Sequence, residues 1–291
     1  MAQAGAVDIV RVPDRLAFTR NRYLRALQTP RGLLGLGLVG TIVLLGILAP
    51  LLTPYSPTFQ IRLQELLPPS GTHPLGTDEL GRDLLSRVLN GIRVDLIVAV
   101  VAVPAAAILG CLAGLLGAAG PGWWDTTIQR AFDVILAFPA IILGIAVAAI
   151  LSPGERAIVV TILLANVPIF GRLSRDALIS QREREYVVAA RLIGVSPVRV
   201  LFRHIFPNVV DPLIVQLALS MSLAVFLEGG MSFVGIGIQV PQPSLGNLLN
   251  EGLPYLATNV NYAVGPMLTL TALVVGLNLI ADALNAGVLR R

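Results

Sequence analysis

The sequence predicts an all-α polytopic membrane protein with six transmembrane helices and both termini on the cytoplasmic side. Three observations carry this expectation. Of the 291 residues, 55% are hydrophobic and only 13% charged, and the mean hydropathy is strongly positive, a composition that suits a chain solvated largely by lipid. Six apolar stretches approach or exceed the length that crosses a hydrocarbon core. The arginines fall unevenly on the two sides that these stretches separate.

Residues 1–31 form an arginine-rich tail ahead of the first apolar run, at 32–52. That run is 21 residues long and no small-x-small cleavage pattern follows it, so it is expected to stay as an anchor rather than be removed as a signal peptide. Residues 53–93 make an external segment. Within it GTDELGRD (76–83) is expected to form an interfacial helix, with Thr77 or Asp78 as its cap and acidic Asp78 and Glu79 in its first turn. Residues 94–291 form a five-helix core with spans at 94–119, 127–151, 157–171, 209–235 and 263–286. In the second span Gly110, Gly114 and Gly117 thin the helix for close packing, Cys111 adds another small residue and Pro104 permits a bend. Arg130 and Asp133, three apart, are expected to pair within the third. After the fifth, Pro241, Pro243, Gly235, Gly237 and Gly246 break the helix and predict a folded external loop holding a short re-entrant or interfacial helix near 245–249.

With the N-terminus inside, sixteen arginines lie on inner segments, and only Arg62, Arg82, Arg87, Arg93 and Arg156 lie outside. This agrees with the positive-inside rule and places the loop 172–208 in the cytoplasm.

Composition also excludes functions. All 21 basic side chains are arginine, so there is no P-loop lysine, no Schiff-base lysine and no Walker-type ATP site. The lone Cys111 rules out an internal disulfide, and His73 and His204 lie far apart, so no metal site is expected. No nucleophile, base and orienting group cluster in the spans, so no catalytic residues are expected. Nor is a nucleic-acid partner.

The stretch SQREREYVVAARLIGVSPVRVLFRHIFPN (180–208) interrupts two apolar spans and predicts two short helices. The first runs over 181–193 and stops at Gly194. The second runs over 197–206, with Ser196 and Pro197 as cap and first residue, and stops at Pro207. Tyr186, Ala190 and Ile193 share one face at helical spacing, Arg184 and Arg191 another. The small pair Ala189 and Ala190 admits a closely approaching surface, and Arg199 and Arg203 repeat on one side of the second helix. A partner protein is the better occupant of that face. Anionic membrane lipid is the alternative, although a lipid-facing helix would more often carry Leu, Phe or Trp where alanines stand here.

VVAARLIG (187–194) followed by RHIFPN (203–208) resembles the cytoplasmic coupling loop of ABC-importer permeases. HPLGTDELGRDLLSRVLNGIRVDL (73–96), RAFDVILAFP (130–139) and EGGMSFVGIGIQVPQPSLGNLLNEG (228–252) resemble the dipeptide/oligopeptide/nickel permeases, specifically the shorter of their two paired subunits. The resemblance implies a type I ABC-importer permease architecture. It also implies a heterodimer with a homologous permease, two cytoplasmic ATPase subunits or domains that bind ATP and Mg in this chain's stead, and an external solute-binding protein. By resemblance Ala189, Ala190, Gly194, His204, Pro207 and Asn208 belong to the ATPase-coupling loop, with Tyr186 beside them. Val188 stands where the family usually has glutamate, and Glu185, one turn earlier, could supply the carboxylate. Asp78, Arg82, Asp83, Pro243 and Asn247 are candidates for an external gate or docking rim.

By helical rise Glu228 and Asp95 lie toward the outer ends of their spans, and Asp133 and Asp282 toward the inner ends. Neutral polar groups remain along the spans, of which Asn166, Gln216, Ser220 and Asn278 are candidates for the translocation path. Such a lining suits a conduit for zwitterionic peptides and ill suits a proton relay. Nickel is the alternative cargo. A secondary transporter acting alone is the alternative mechanism, but it would need titratable groups in the barrier and often inverted repeats, and no repeat is evident.

Overall fold

The computed structural model describes residues 22–196 and 199–289. The tail residues 1–21, Pro197 with its expected capping role, and Arg290 and Arg291 lie outside the described residues. Residues 22–27 are helical. Then follow α1 (Pro30–Leu52), α2 (Leu84–Ala119), α3 (Gly122–Leu136), α4 (Ala140–Leu151), α5 (Glu155–Arg182), α6 (Glu185–Leu192), α7 (Phe206–Phe233), α8 (Leu245–Gly252) and α9 (Asn261–Leu289). A π-helical turn, Val200–Ile205, precedes α7, and a 3-10 turn, Leu253–Tyr255, follows α8. Among the described residues the β-type pairing is one isolated bridge between Thr77 and Asp83.

Helices α1, α2, α5, α7 and α9 are each long and apolar enough to cross a bilayer. The third span, expected as one helix over 127–151, is instead the pair α3 and α4, bent by 92°. The cause lies in the sequence: Pro139 caps α4 without a donor to offer α3, and it biases Phe138 away from helical geometry. The fourth span is longer than expected, because α5 continues past Gly171 to Arg182 without meeting a breaker. Pro168 lies inside α5 but leaves it one helix.

The interfacial helix expected at 76–83 is absent. Asp78 Oδ1 accepts the amide protons of Leu80 (2.9 Å) and Arg82 (2.8 Å), closing a side-chain-to-backbone turn. Gly81, at φ +71°, takes the left-handed conformation that such a turn requires. The N-cap is Asp83, whose Oδ2 accepts from the Ser86 amide at 2.8 Å. That cap starts α2 ten residues before the expected span, giving one continuous helix of 36 residues, about 54 Å at 1.5 Å per residue. Pro207 does not stop a helix either: it stands in the first turn of α7, where its missing N–H costs nothing.

The expected close packing at the second-span glycines is present. A Cβ on Gly114 would lie 2.0 Å from the Gly171 carbonyl oxygen of α5, so α2 and α5 cross backbone to backbone. The main core gathers Ile92, Ala99 and Val103 of α2, Ile158 and Phe170 of α5, Val225 and Met231 of α7, Leu245 and Leu248 of α8, and Leu273 of α9. Asp133 pairs across helices with Arg172 of α5 (Nη2 to Oδ1, 2.5 Å), rather than with Arg130 along its own helix. The bundle thus has a loop end, bearing 183–208, and a far end, bearing 53–83 and 234–260.

Candidate functional site

At the loop end, α6 is short because Gly194, at φ +79°, turns the chain back, and the Val195 amide donates to the Ala190 carbonyl at 3.1 Å. Val187 and Ala190 are buried in a cluster with Leu115 and Ala118 of α2, Leu178 of α5, Val200 and Ile205 of the π-helical turn, and Val209 of α7. The loop is therefore glued to three long helices by apolar burial. Arg182 Nη1 adds a hydrogen bond to the Ala118 carbonyl at 3.3 Å, and the two-pronged Arg175–Asp125 pair (both 2.6 Å) ties α5 to α3 nearby.

Of the expected face Tyr186, Ala190 and Ile193, only Ala190 turns inward. Leu192 and Ile193 are 82% and 81% exposed, and Glu185, Tyr186, Val188 and Ala189 are exposed as well. The Tyr186 hydroxyl donates to Gln181 Oε1 at 2.7 Å. The result is a helix seated by Val187 and Ala190 and presenting an apolar, uncovered outer side. The side chains of His204, Pro207 and Asn208 lie outside the described residues.

A feature not anticipated from the sequence sits beside this loop. Residues 22–27 lie against the foot of α7 and the end of α9. The Tyr23 hydroxyl donates to Asp211, Arg22 lies 3.8 Å from the same carboxylate, and Arg22 Nη2 donates to the Gly287 carbonyl at 3.0 Å. No spacing rule brings residue 23 to residue 211.

The candidate path residues are partly brought together. Gln216 donates to Ser220 one turn on along α7 (3.1 Å), and Asn278 of α9 donates to Ser222 of α7 (2.7 Å), joining those two helices. Asn166 is buried in α5, donating to Ile162 O at 2.8 Å and leaving Oδ1 without a partner.

At the far end the candidate rim residues are buried. Asp78 Oδ2 receives Arg82 Nε at 2.5 Å and Arg87 Nη1 at 2.6 Å, and Arg87 Nη1 also reaches Glu251 Oε2 of α8 at 2.9 Å. The Tyr262 hydroxyl of α9 lies 2.6 Å from Glu79 Oε2 and 3.1 Å from Glu251 Oε2. Asp83 holds His73 Nδ1 at 2.9 Å. Pro243 is buried, and Asn247 closes the capping box of α8 with Ser244. These side chains fix the segment 53–83 to the bundle, and the exposed side chains of this end include Phe59, Leu63, Leu80 and Val240. Arg87, Glu251 and Tyr262 were not singled out by sequence; the one signal was that charged residues in so apolar a chain need partners. Among the described residues no group of three or more His, Cys, Asp or Glu could hold a metal.

Residues 106–291 match the family of binding-protein-dependent transport system inner membrane components, and residues 20–69 match the N-terminal transmembrane domain of oligopeptide transport permease C. The chain is 36% identical over 266 residues to a dipeptide transport system permease protein of Alkalihalophilus pseudofirmus, covering 91% of this chain and 88% of that one. It is 38% identical to a di/tripeptide transport system permease of Pseudomonas aeruginosa (84% and 82% covered) and 35% identical to a glutathione transport system permease of Pectobacterium atrosepticum (75% and 72%). Its fold is shared with the inward-facing MetNI methionine ABC transporter, at TM-score 0.57 and 18% identity over 69% of this chain and 96% of that one. Five apolar helices long enough to cross a bilayer, with the bent pair α3 and α4 as a candidate sixth span, an anchored apolar loop helix and these relatives converge: the chain belongs to the binding-protein-dependent inner-membrane permeases, in their dipeptide and oligopeptide branch, and is a multi-pass transport component of the bacterial inner membrane.

Proposed function

We propose that this chain pairs with a homologous permease to form the path by which di- and oligopeptides, handed over by an external solute-binding protein, enter the cell at the expense of ATP hydrolysed by two separate ATPase subunits. The observation that carries the reading is α6. Its inner side is buried against α2, α5 and α7, so a force applied to it reaches the bundle, while Tyr186, Val188, Ala189, Leu192 and Ile193 form an outer side that none of the described residues covers. The arginine distribution supports a cytoplasmic loop end, the side on which ATPase subunits are found. Relatives named for dipeptide, di/tripeptide and glutathione transport support peptides as cargo.

The partner contact is tested on the assembled complex with Leu192→Asp. Insertion of the permease stays normal, while ATPase co-purification and solute-stimulated ATP hydrolysis fall by about tenfold or more, as for a central apolar interface residue. Unchanged hydrolysis and unchanged co-purification reject the assignment. Glu185 and Val188, both exposed on α6, allow a finer test of whether Glu185 supplies the missing carboxylate: Glu185→Ala lowers coupling and Val188→Glu restores it.

A further inference from the structure

Two carboxyl groups meet inside the bundle, and among the described residues no arginine pairs with either. Asp95 of α2 and Glu228 of α7 are fully buried and flank the start of α8, where the Leu245 amide reaches Asp95 and Gly246 packs on Gly229, the residue after Glu228. One oxygen of each is served by a donor. The amide of Leu245, the first residue of α8, donates to Asp95 Oδ2 at 3.3 Å, and the Ser232 hydroxyl donates to Glu228 Oε1 at 2.7 Å. Asp95 Oδ1 and Glu228 Oε2 have no partner at normal hydrogen-bond geometry among the described residues, although the Ser244 hydroxyl of α8 also acts on the Glu228 carboxyl.

The arginines of α2 and α5 that have ion-pair partners serve other carboxylates, and Arg93, two residues before Asp95, is exposed. Arg87 of α2 is bound to Asp78 and Glu251, and Glu251 of α8 is bound to Arg87. Tyr262 of α9 reaches Glu79 and Glu251, and Arg172 and Arg175 of α5 serve Asp133 and Asp125. The titratable group acting on Asp95 is Glu228, the one acting on Glu228 is Asp95, and Ser244 of α8 completes the surroundings. Two adjacent carboxylates out of water cannot both stay charged, and each orphan oxygen is costly to bury. One proton shared by the pair removes the like-charge repulsion and leaves a single negative charge beside the Leu245 amide on Asp95 and the Ser232 hydroxyl on Glu228.

The site is also a junction. A Cβ on Gly246 of α8 would lie 2.2 Å from the carbonyl oxygen of Gly229, the residue after Glu228, and a Cβ on Gly91, one turn before Asp95, would lie 3.2 Å from Ser244. Three backbones converge there without spacers. We propose that Asp95 and Glu228 bind one proton between them and that this protonated pair is the latch holding the start of α8 to α2 and α7. The proton comes from water as the chain folds, the latched pair carries one net negative charge, and losing the proton sets two like charges against each other at the root of the far-end loop. The latch is independent of the cargo and of which ATPase partner is engaged.

Infrared spectra of the full-length chain in lipid test this at about pH 8, where solvated carboxyls are ionised. A deuterium-sensitive carboxylic-acid carbonyl band is present in the wild type and absent from both Asp95→Asn and Glu228→Gln, whose amides donate to the remaining carboxylate and keep the junction closed. Hydrogen exchange supplies the second readout. Asp95→Ala and Glu228→Ala speed exchange of the amides of Leu245 and Leu248 by about tenfold or more, while the Asn and Gln variants keep them protected. A wild type without the band, a band that survives in both amide variants, or a stoichiometric bound metal ion with both carboxyls charged overturns the proposal. If the alanine variants fail to insert, the band and its loss in the amide variants decide the matter alone.

Discussion

Arg87 shows how a single side chain organises the far end. Its side chain is fully buried in α2, and Nη1 reaches both Asp78 in the turn before α2 and Glu251 in α8, so three separated parts of the chain share one cation. Removing the cation takes from Asp78 and Glu251 their shared buried partner and leaves only Arg82, at 2.5 Å from Asp78 and 3.7 Å from Glu251, to serve both. Arg87→Met therefore lowers stability by about 3–5 kcal/mol, the range for breaking a buried pair from one side. Arg62→Met, at an exposed position, changes it by less than about 0.5 kcal/mol. Denaturant unfolding in detergent measures both, and equal effects would refute the organising role. The sequence places Asp78, Arg82 and Asp83 at a surface rim; the structure turns them inward because an apolar bundle offers each carboxylate a guanidinium or imidazole partner that chain spacing does not reveal.

Helices carry the next level. Five of the crossings, the glycine-packed α2, the broken segment after α7 and the helix at Leu245 were all legible, since each follows from local composition or from a residue with special backbone geometry. The break between α3 and α4 was written as Phe138-Pro139 yet hidden by unbroken hydrophobicity. The start of α2 was masked because Asp78 and Asp83 look alike as caps until their hydrogen bonds are known. In the loop, periodicity identified a helix but not which side the bundle would claim: Val187 and Ala190 are buried while Leu192 and Ile193 are not. That difference separates two mutations. Ala190→Asp forces a carboxylate into the cluster of Leu115, Leu178, Val200 and Ile205, detaching the loop and raising protease cleavage within residues 183–196 by about tenfold. Leu192→Asp leaves cleavage unchanged and disturbs only a partner. Equal protease sensitivity in the two variants would show that α6 is not seated as described.

For the whole molecule, the division of labour rests on where energy enters. At the loop end, α6 is packed on α2, α5 and α7, and the Tyr23–Asp211 and Arg22–Gly287 contacts bind the feet of α7 and α9 to the N-terminal helix, so displacement of the loop engages most of the long helices together. At the far end the Arg87 network and the Asp95–Glu228 junction hold α8 to the same helices. Titratable groups do occur inside the bundle, but they hold helices to one another. Asp95 is eleven residues into α2, about 16 Å from its start, and Glu228 is five residues, about 8 Å, from the end of α7. Both lie in the far-end half, and neither begins a chain of carriers toward the loop end. Peptide uptake into proteoliposomes by the assembled complex, measured with internal ATP, with vanadate and with a protonophore, tests the central claim most directly. The account predicts uptake that requires internal ATP, stops with vanadate and persists when the proton gradient is collapsed; uptake by this chain alone, driven by a pH gradient without ATP, would contradict it.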